Sequence, residues 1–127
     1  MSDIERISVE GAAPPAGHYS PATAWGDLVF VSGQLPSRPD GTHTADQPFE
    51  VQARQVLDNL FAVLAAAGSA PDRVLKVTVY VAGIAHWPAF NRLYAEAFGT
   101  SKPARCVVPV PELHHGYLVE VEAIATR

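Results

Sequence analysis

The chain has 127 residues, 48% hydrophobic and 17% charged, with a formal net charge of −4. This composition is globular rather than disordered, and the length is enough for one domain, residues 1–127, whose core needs neither disulfides nor metal. The acidic balance lacks the basic run that nucleic-acid binding draws on, and no segment reaches the ~18 apolar residues of a membrane span.

The single cysteine, Cys106, excludes an internal disulfide and fits a reducing compartment. The first residues, Met1-Ser2-Asp3-Ile4-Glu5-Arg6, carry no apolar run of the signal-peptide kind, so a cytoplasmic protein is expected. So low a charged fraction in a small domain also suggests that other subunits cover part of its surface.

Ile7-Ser8-Val9 predicts a short first strand, followed by a loop over residues 11–17. A second strand is expected over 19–24, turning at Gly26-Asp27, and the apolar run 28–33 reads as a central strand. Residues 36–47 are rich in Pro, Gly, Thr and Asp and form a loop, with Pro39-Asp40-Gly41 as its turn. Ala53, Leu57, Leu60, Leu64 and Ala67 then recur on one helical face, while Gln52, Arg54, Gln55 and Asp58 point away from it. Asp46 is placed to cap this helix, Pro48 falls in its first turn and Gly68 stops it.

In residues 74–81, Leu75, Val77, Val79 and Val81 alternate with Lys76, Thr78 and Tyr80, as in a strand. A second helix follows Gly83, with Pro88 in its first turn, Gly99 beyond its end, and Trp87, Phe90, Tyr94 and Phe98 as its buried stripe. Two final strands, over 104–110 and 117–125, are joined by residues 111–116. The order predicts an α+β fold: a mixed sheet with two helices packed on one face. No helix remains for the other face, and the strands are too apolar to leave it bare, so an oligomer is expected.

Arg105, at the start of an apolar strand, either pairs with a glutamate or offers its planar fork to a ligand carboxylate. Glu120 and Glu122 are two residues apart and share one strand face, suited either to structural pairing or to acid–base work. Tyr19 follows Gly17-His18 at a turn, and its hydroxyl either projects into a cleft or packs. Ser32-Gly33-Gln34 closes a strand with a bulge or turn. Asn91, inside the second helix, is unfavourable there unless solvent-facing or used.

The histidines His18, His43, His86, His114 and His115 make no helical ligand pair, and adjacent side chains of an extended His114-His115 point apart. With one cysteine, no structural zinc site is expected, and no base is placed beside Cys106 by any recognisable signature. There is no glycine-rich phosphate loop.

Taken together, these residues resemble the RidA/YjgF family of reactive-intermediate deaminases over nearly the whole chain. The resemblance is carried by Gly17-x-Tyr19-Ser20, Val31-Ser32-Gly33-Gln34-Leu35-Pro36, Gln52-Ala53-Arg54-Gln55 and Leu57-Asp58-Asn59. It continues through Ala66-Ala67-Gly68, Val77-Thr78-Val79-Tyr80, Asn91-x-x-Tyr94, Lys102-Pro103-Ala104-Arg105 and Val119-Glu120-Val121-Glu122-Ala123-Ile124-Ala125.

The resemblance implies a homotrimer of chorismate-mutase-like α+β subunits with clefts between them. It also implies hydrolysis of enamine or imine intermediates, such as 2-aminoacrylate, to keto acids and ammonia, with no cofactor. On this footing Arg105 binds the carboxylate of a small imine substrate, and Glu120 positions water with a backbone carbonyl near Cys106. Tyr19, Ser32, Gly33 and Asn91 fall on cleft-lining positions.

The chain departs from the family pattern at His18 and His114, where proline is usual, and at Val107, where cysteine is common. These changes leave Arg105 untouched but alter the cleft rim. A non-catalytic small-molecule binder or stress-related chaperone on the same fold is therefore the alternative. A ribonuclease role, also attached to this family, gains nothing from the acidic charge.

Overall fold

Strand alternation sets the architecture. In the computed structural model, which describes residues 3–127, six strands form one mixed sheet in the order β1-β2-β3-β6-β4-β5. They are β1 (Glu5–Ile7), β2 (Ala22–Trp25), β3 (Leu28–Gln34), β4 (Val74–Ala82), β5 (Ala104–Val110) and β6 (Val119–Thr126). Only β4 and β5 run parallel, joined through helix α2 (Trp87–Phe98); the other pairings are antiparallel. Helix α1 (Phe49–Ala66) connects β3 to β4.

Every second residue of β4 and β6 is buried: Val77, Val79 and Val81 on one, Val119, Val121, Ala123 and Ala125 on the other. Against this face α1 lays Ala53, Val56, Leu57, Leu60, Val63 and Leu64, and α2 lays Phe90, Leu93, Tyr94 and Phe98. Burying one such aliphatic side chain stabilises the fold by roughly 1.5–3 kcal/mol. Between the helices, Arg92 pairs with Glu50 at 2.9 Å and Arg54 with Glu96 at 3.7 Å. These ion pairs are exposed and worth at most about 1 kcal/mol each.

The opposite face has no helix over it. Phe30 is 44% exposed and Ile124 36%, alongside the part-exposed Tyr80, Glu120 and Glu122. No helix among the described residues is long and apolar enough to cross a membrane.

The α+β reading of the sequence is met, with local corrections. The first strand ends at Ile7 rather than beginning there, and the second begins at Ala22, leaving Tyr19 in a bend. Asp46 makes no cap, because α1 begins at Phe49 with Pro48 before it and no capping side chain. Leu75 is 49% exposed: a register shift between Val74 and Lys76 gives Val74 the inward position. Leu93 belongs to the buried stripe of α2, and Trp87 is only half-buried.

Gln52 faces inward, fully buried, because the backbone needs its amide. It accepts a hydrogen bond from Leu118 N–H at 2.9 Å and donates to the carbonyls of Gln47 and Ala45. Gly68, at φ +80°, ends α1 as expected.

Leu60→Ala is expected to lower stability by about 2–5 kcal/mol. Leu75→Ala should stay within about 0.5 kcal/mol of wild type. Denaturant unfolding of both variants checks this register, since a strand without the shift would make them comparable.

Candidate active site

Arg105 does not form the ion pair that was one of its two readings. It lies in β5 beside Val77 of β4, so its side chain leaves the sheet on the helix-covered face. Its guanidinium sits 4.7 Å from the ring centres of both Trp87 and Tyr94 and donates to Asn91 Oδ1 at 3.1 Å. None of the described carboxylates is within ion-pair distance of it.

Trp87, Asn91 and Tyr94 stand at i, i+4 and i+7 on α2, one face of the helix, a spacing that was readable in the sequence. Each cation–π contact contributes roughly 0.5–2 kcal/mol and fixes the plane of the fork. Asn91 is exposed, as an amide in a helix usually is, and also has a partner in Arg105. Below the guanidinium, the buried Tyr94 hydroxyl has no hydrogen-bond partner among the described residues, and burial pushes its pKa up to about 12 against the opposing charge of Arg105.

Glu120 and Glu122 share a face as predicted, the open one. Tyr80 donates to Glu122 at 2.6 Å, a bond that raises the tyrosine to about 12. Glu120 has no such partner among the described residues. Burial first, then the charge of Glu122, holds its carboxyl above the ordinary carboxylate range, with His114 opposing.

Gly33 lies under this carboxylate, and a Cβ built there would overlap Glu120 Oε2. The register shift between Val31 and Gln34 puts Gly33 in that place, so the glycine serves a close approach. Ser32 donates to the Ser20 carbonyl at 2.6 Å, tying down the bend that carries Tyr19. Tyr19 itself is 54% exposed and lines, with Gly33, a cavity of about 690 Å³.

Tyr19, Ser32, Gly33 and Glu120 thus form one group, and Arg105 with Asn91 forms another on the opposite side of the sheet. Cys106 is exposed beside Thr78, in register with Glu122 across β4. Two strand spacings separate β5 from β6, about 10 Å, too far for Glu120 and the backbone at Cys106 of one chain to share a water.

His114 and His115 do not point apart. His115 has φ +61°, and the two rings stack with centres 3.9 Å apart. His43 lies 4.5 Å from His115 on its other side, and its Nδ1 hydrogen-bonds the Tyr117 hydroxyl at 2.5 Å. No spacing in the sequence joins His43 to Tyr117, which is 74 residues away. No group of three or more His, Cys, Asp or Glu among the described residues is arranged to hold a metal ion.

The family described as Endoribonuclease L-PSP matches residues 10–127. A RutC family protein of Pyrococcus horikoshii is 43% identical over 97% of this chain and 98% of that one. The chloroplastic Reactive Intermediate Deaminase A of Arabidopsis thaliana is 35% identical over 96% of this chain and 65% of its own. The crystal structure of E. coli TdcF with bound serine superposes with a TM-score of 0.90 at 31% identity, covering 97% and 98% of the two chains.

Tyr94→Phe keeps the ring against Arg105 and removes a buried hydroxyl that has no partner, so thermal unfolding should show equal or slightly higher stability. Trp87→Ala should loosen the guanidinium, seen as weaker binding of small carboxylates by calorimetry. Gly33→Ala should displace the Glu120 carboxylate with little loss of stability, because the clash is with the end of a flexible side chain. A crystal structure of that variant with Glu120 unmoved would contradict the arrangement.

Proposed function

The chain belongs to the RidA/YjgF family, and from that premise we propose that it hydrolyses imine and enamine forms of 2-amino acids to 2-keto acids and ammonia in clefts between copies of itself. The observation that carries this reading is the separation of two prepared half-sites. A guanidinium fork is held flat on the helix face, and a carboxylate with a raised pKa stands on the open face. A second copy laid on the open face supplies the missing half, and a trimer is the assembly that the family resemblance implies. Support comes also from the name of the Arabidopsis relative and from the serine, a 2-amino carboxylate, bound by TdcF.

Arg105 holds the substrate carboxylate through two charge-assisted hydrogen bonds. Glu120 of the neighbouring copy and the backbone carbonyl at Cys106 orient a water molecule toward the imine carbon. The water oxygen bonds to that carbon as Glu120 takes its proton, the C=N electron pair moves to nitrogen, and Glu120 passes that proton on to the nitrogen and is ionised again. A second proton passes from the new hydroxyl to nitrogen, the C–N bond breaks, and ammonia leaves behind the keto acid.

An enamine enters the same path once a proton adds to its terminal carbon to give the imine. No electrons are exchanged with any other reagent. A raised carboxylate pKa makes Glu120 a better base than a free carboxylate, and positioned proton transfer is worth roughly 10²–10⁴ in rate. Tyr19 and the backbone at Ser32 and Gly33 line the same cleft.

Imines generated in situ by an amino-acid oxidase test the reading. Wild type should speed ammonia release over the buffer rate, and Arg105→Ala should abolish the acceleration. Arg105→Ala and Glu120→Gln chains, each inactive alone, should regain part of the activity when co-expressed, since mixed assemblies contain clefts with both intact residues. Failure of this rescue would rule out a shared cleft.

The pH profile gives a further check. Glu120 acts ionised, so activity is lost as pH falls through its raised pKa, and the acidic limb lies above the ordinary value of 4.5. Glu122→Gln removes a neighbouring negative charge and should move that limb to lower pH.

A further inference from the structure

The cavity beside Gly33 is much larger than a three-carbon imine requires. We propose that it is a side-chain subsite and that this chain is built for imines carrying flat, aromatic side chains. The inference rests on the deaminase reading for its chemistry and on the cavity for its specificity.

The cavity opens between the 9–17 segment, the 34–43 loop and α1. Its volume of about 690 Å³ compares with about six heavy atoms in a three-carbon imino acid, each near the ~30 Å³ of liquid volume taken by a water molecule. Two of its lining residues border the reacting end: Gly33, directly beneath the Glu120 carboxylate, and His114, whose charge bears on Glu120. A substrate carbon held next to Glu120 therefore has its remaining substituent facing this space.

The walls are planar. The His114 and His115 rings stack with centres 3.9 Å apart, and His43 meets His115 in a tilted contact at 4.5 Å. Tyr117 is locked to this stack through His43, and Tyr19 and two consecutive prolines, Pro14 and Pro15, also line the cavity. Aromatic rings meet one another at such spacings in offset or tilted pairs.

His115 is the one described non-glycine residue at positive φ, a conformation that an L side chain adopts at a cost. That backbone goes with its ring being stacked on His114, and strain of this kind marks places where a side chain is being aimed. Burial, reinforced by His114 and His43, lowers the pKa of His115 and so disfavours a charge on its ring.

Of the charged groups facing the cavity, Glu10 opposes an acidic side chain, and Arg38 is turned onto its own loop, donating to the His43 carbonyl at 3.0 Å and to Thr42 at 3.4 Å. The charge of His114 acts on Glu120 at the reacting end. One departure from the family pattern thus has a place in the site: the histidine that replaces proline after Leu113 forms part of the wall of the cavity.

The test compares kcat/KM for imines generated from phenylalanine, tryptophan, alanine and aspartate, in wild type, His115→Gly and His43→Ala. Glycine suits the backbone at 115, so His115→Gly removes a ring without endangering the fold. The aromatic-to-alanine ratio should exceed one in wild type and fall about threefold to tenfold in His115→Gly, the scale of a lost aromatic contact.

Calorimetric binding of 3-phenylpyruvate and pyruvate to the same proteins separates the two readings. If no imine is accelerated but phenylpyruvate binds more tightly than pyruvate, and His115→Gly weakens only the former, the subsite stands and the deaminase reading falls. If imines are accelerated with a ratio that neither variant changes, or if the aspartate imine is preferred, the subsite is overturned and the deaminase reading survives.

Discussion

Closing one face of a β-sheet and leaving the other open is the constraint from which the rest of this molecule follows. Once α1 and α2 cover the face carrying Val77, Val79, Val119 and Val121, the two-residue period of the strands forces Tyr80, Glu120 and Glu122 to the other side. The same period sends Arg105, the register neighbour of Val77, toward the helices. The guanidinium of Arg105 and the carboxylate of Glu120 are thereby separated by the thickness of the sheet. The open face, with Phe30 and Ile124 exposed on it, is what a second copy would cover. In that arrangement, covering the apolar face and completing the site are one event.

The charges are handled differently on the two sides. A guanidinium paired with a buried carboxylate would already be neutralised and of little use to a ligand. Here the cation rests on two ring faces and one amide oxygen, which orient it while leaving its charge unmet. The two glutamates, alike in sequence, are made unlike by one phenol. Tyr80 binds Glu122, and Glu120 is left to burial and to the repulsion of its neighbour. Environment rather than residue type distinguishes their roles.

Departures from regular geometry concentrate around the site. The register shift between Val31 and Gln34 brings Gly33 under Glu120, and the positive φ of His115 stacks the imidazoles. The third, at Val74 and Lys76, lies at the far end of β4 and only exchanges Leu75 for Val74 in the core. Gln52 ties Leu118, just before β6, to the residues just before α1 from a fully buried position. A buried amide with its hydrogen bonds satisfied is tolerated in an apolar helix face where an unsatisfied one would not be.

Amphipathic spacing in α1 and alternation in β4 and β6 are local properties, and residues such as Leu57, Leu60, Val79 and Val121 declared the α+β layering and its uncovered face without any coordinates. The ordered motifs around Tyr19, Ser32-Gly33, Asn91, Arg105 and Glu120 declared the family for the same reason, since their spacing along the chain is a sequence property. Hydrogen-bond competition was not readable, and so Asp46 looked like a cap and Gln52 like a surface residue. Nor was the ring stack, because an extended backbone at His115 would have turned His114 and His115 apart, and His43 reaches Tyr117 only through the fold. Which face each charge occupies, and therefore whether one chain can hold a complete site, depends on strand register and helix placement. Those are settled by packing between segments far apart in sequence, and only the tertiary structure decided them.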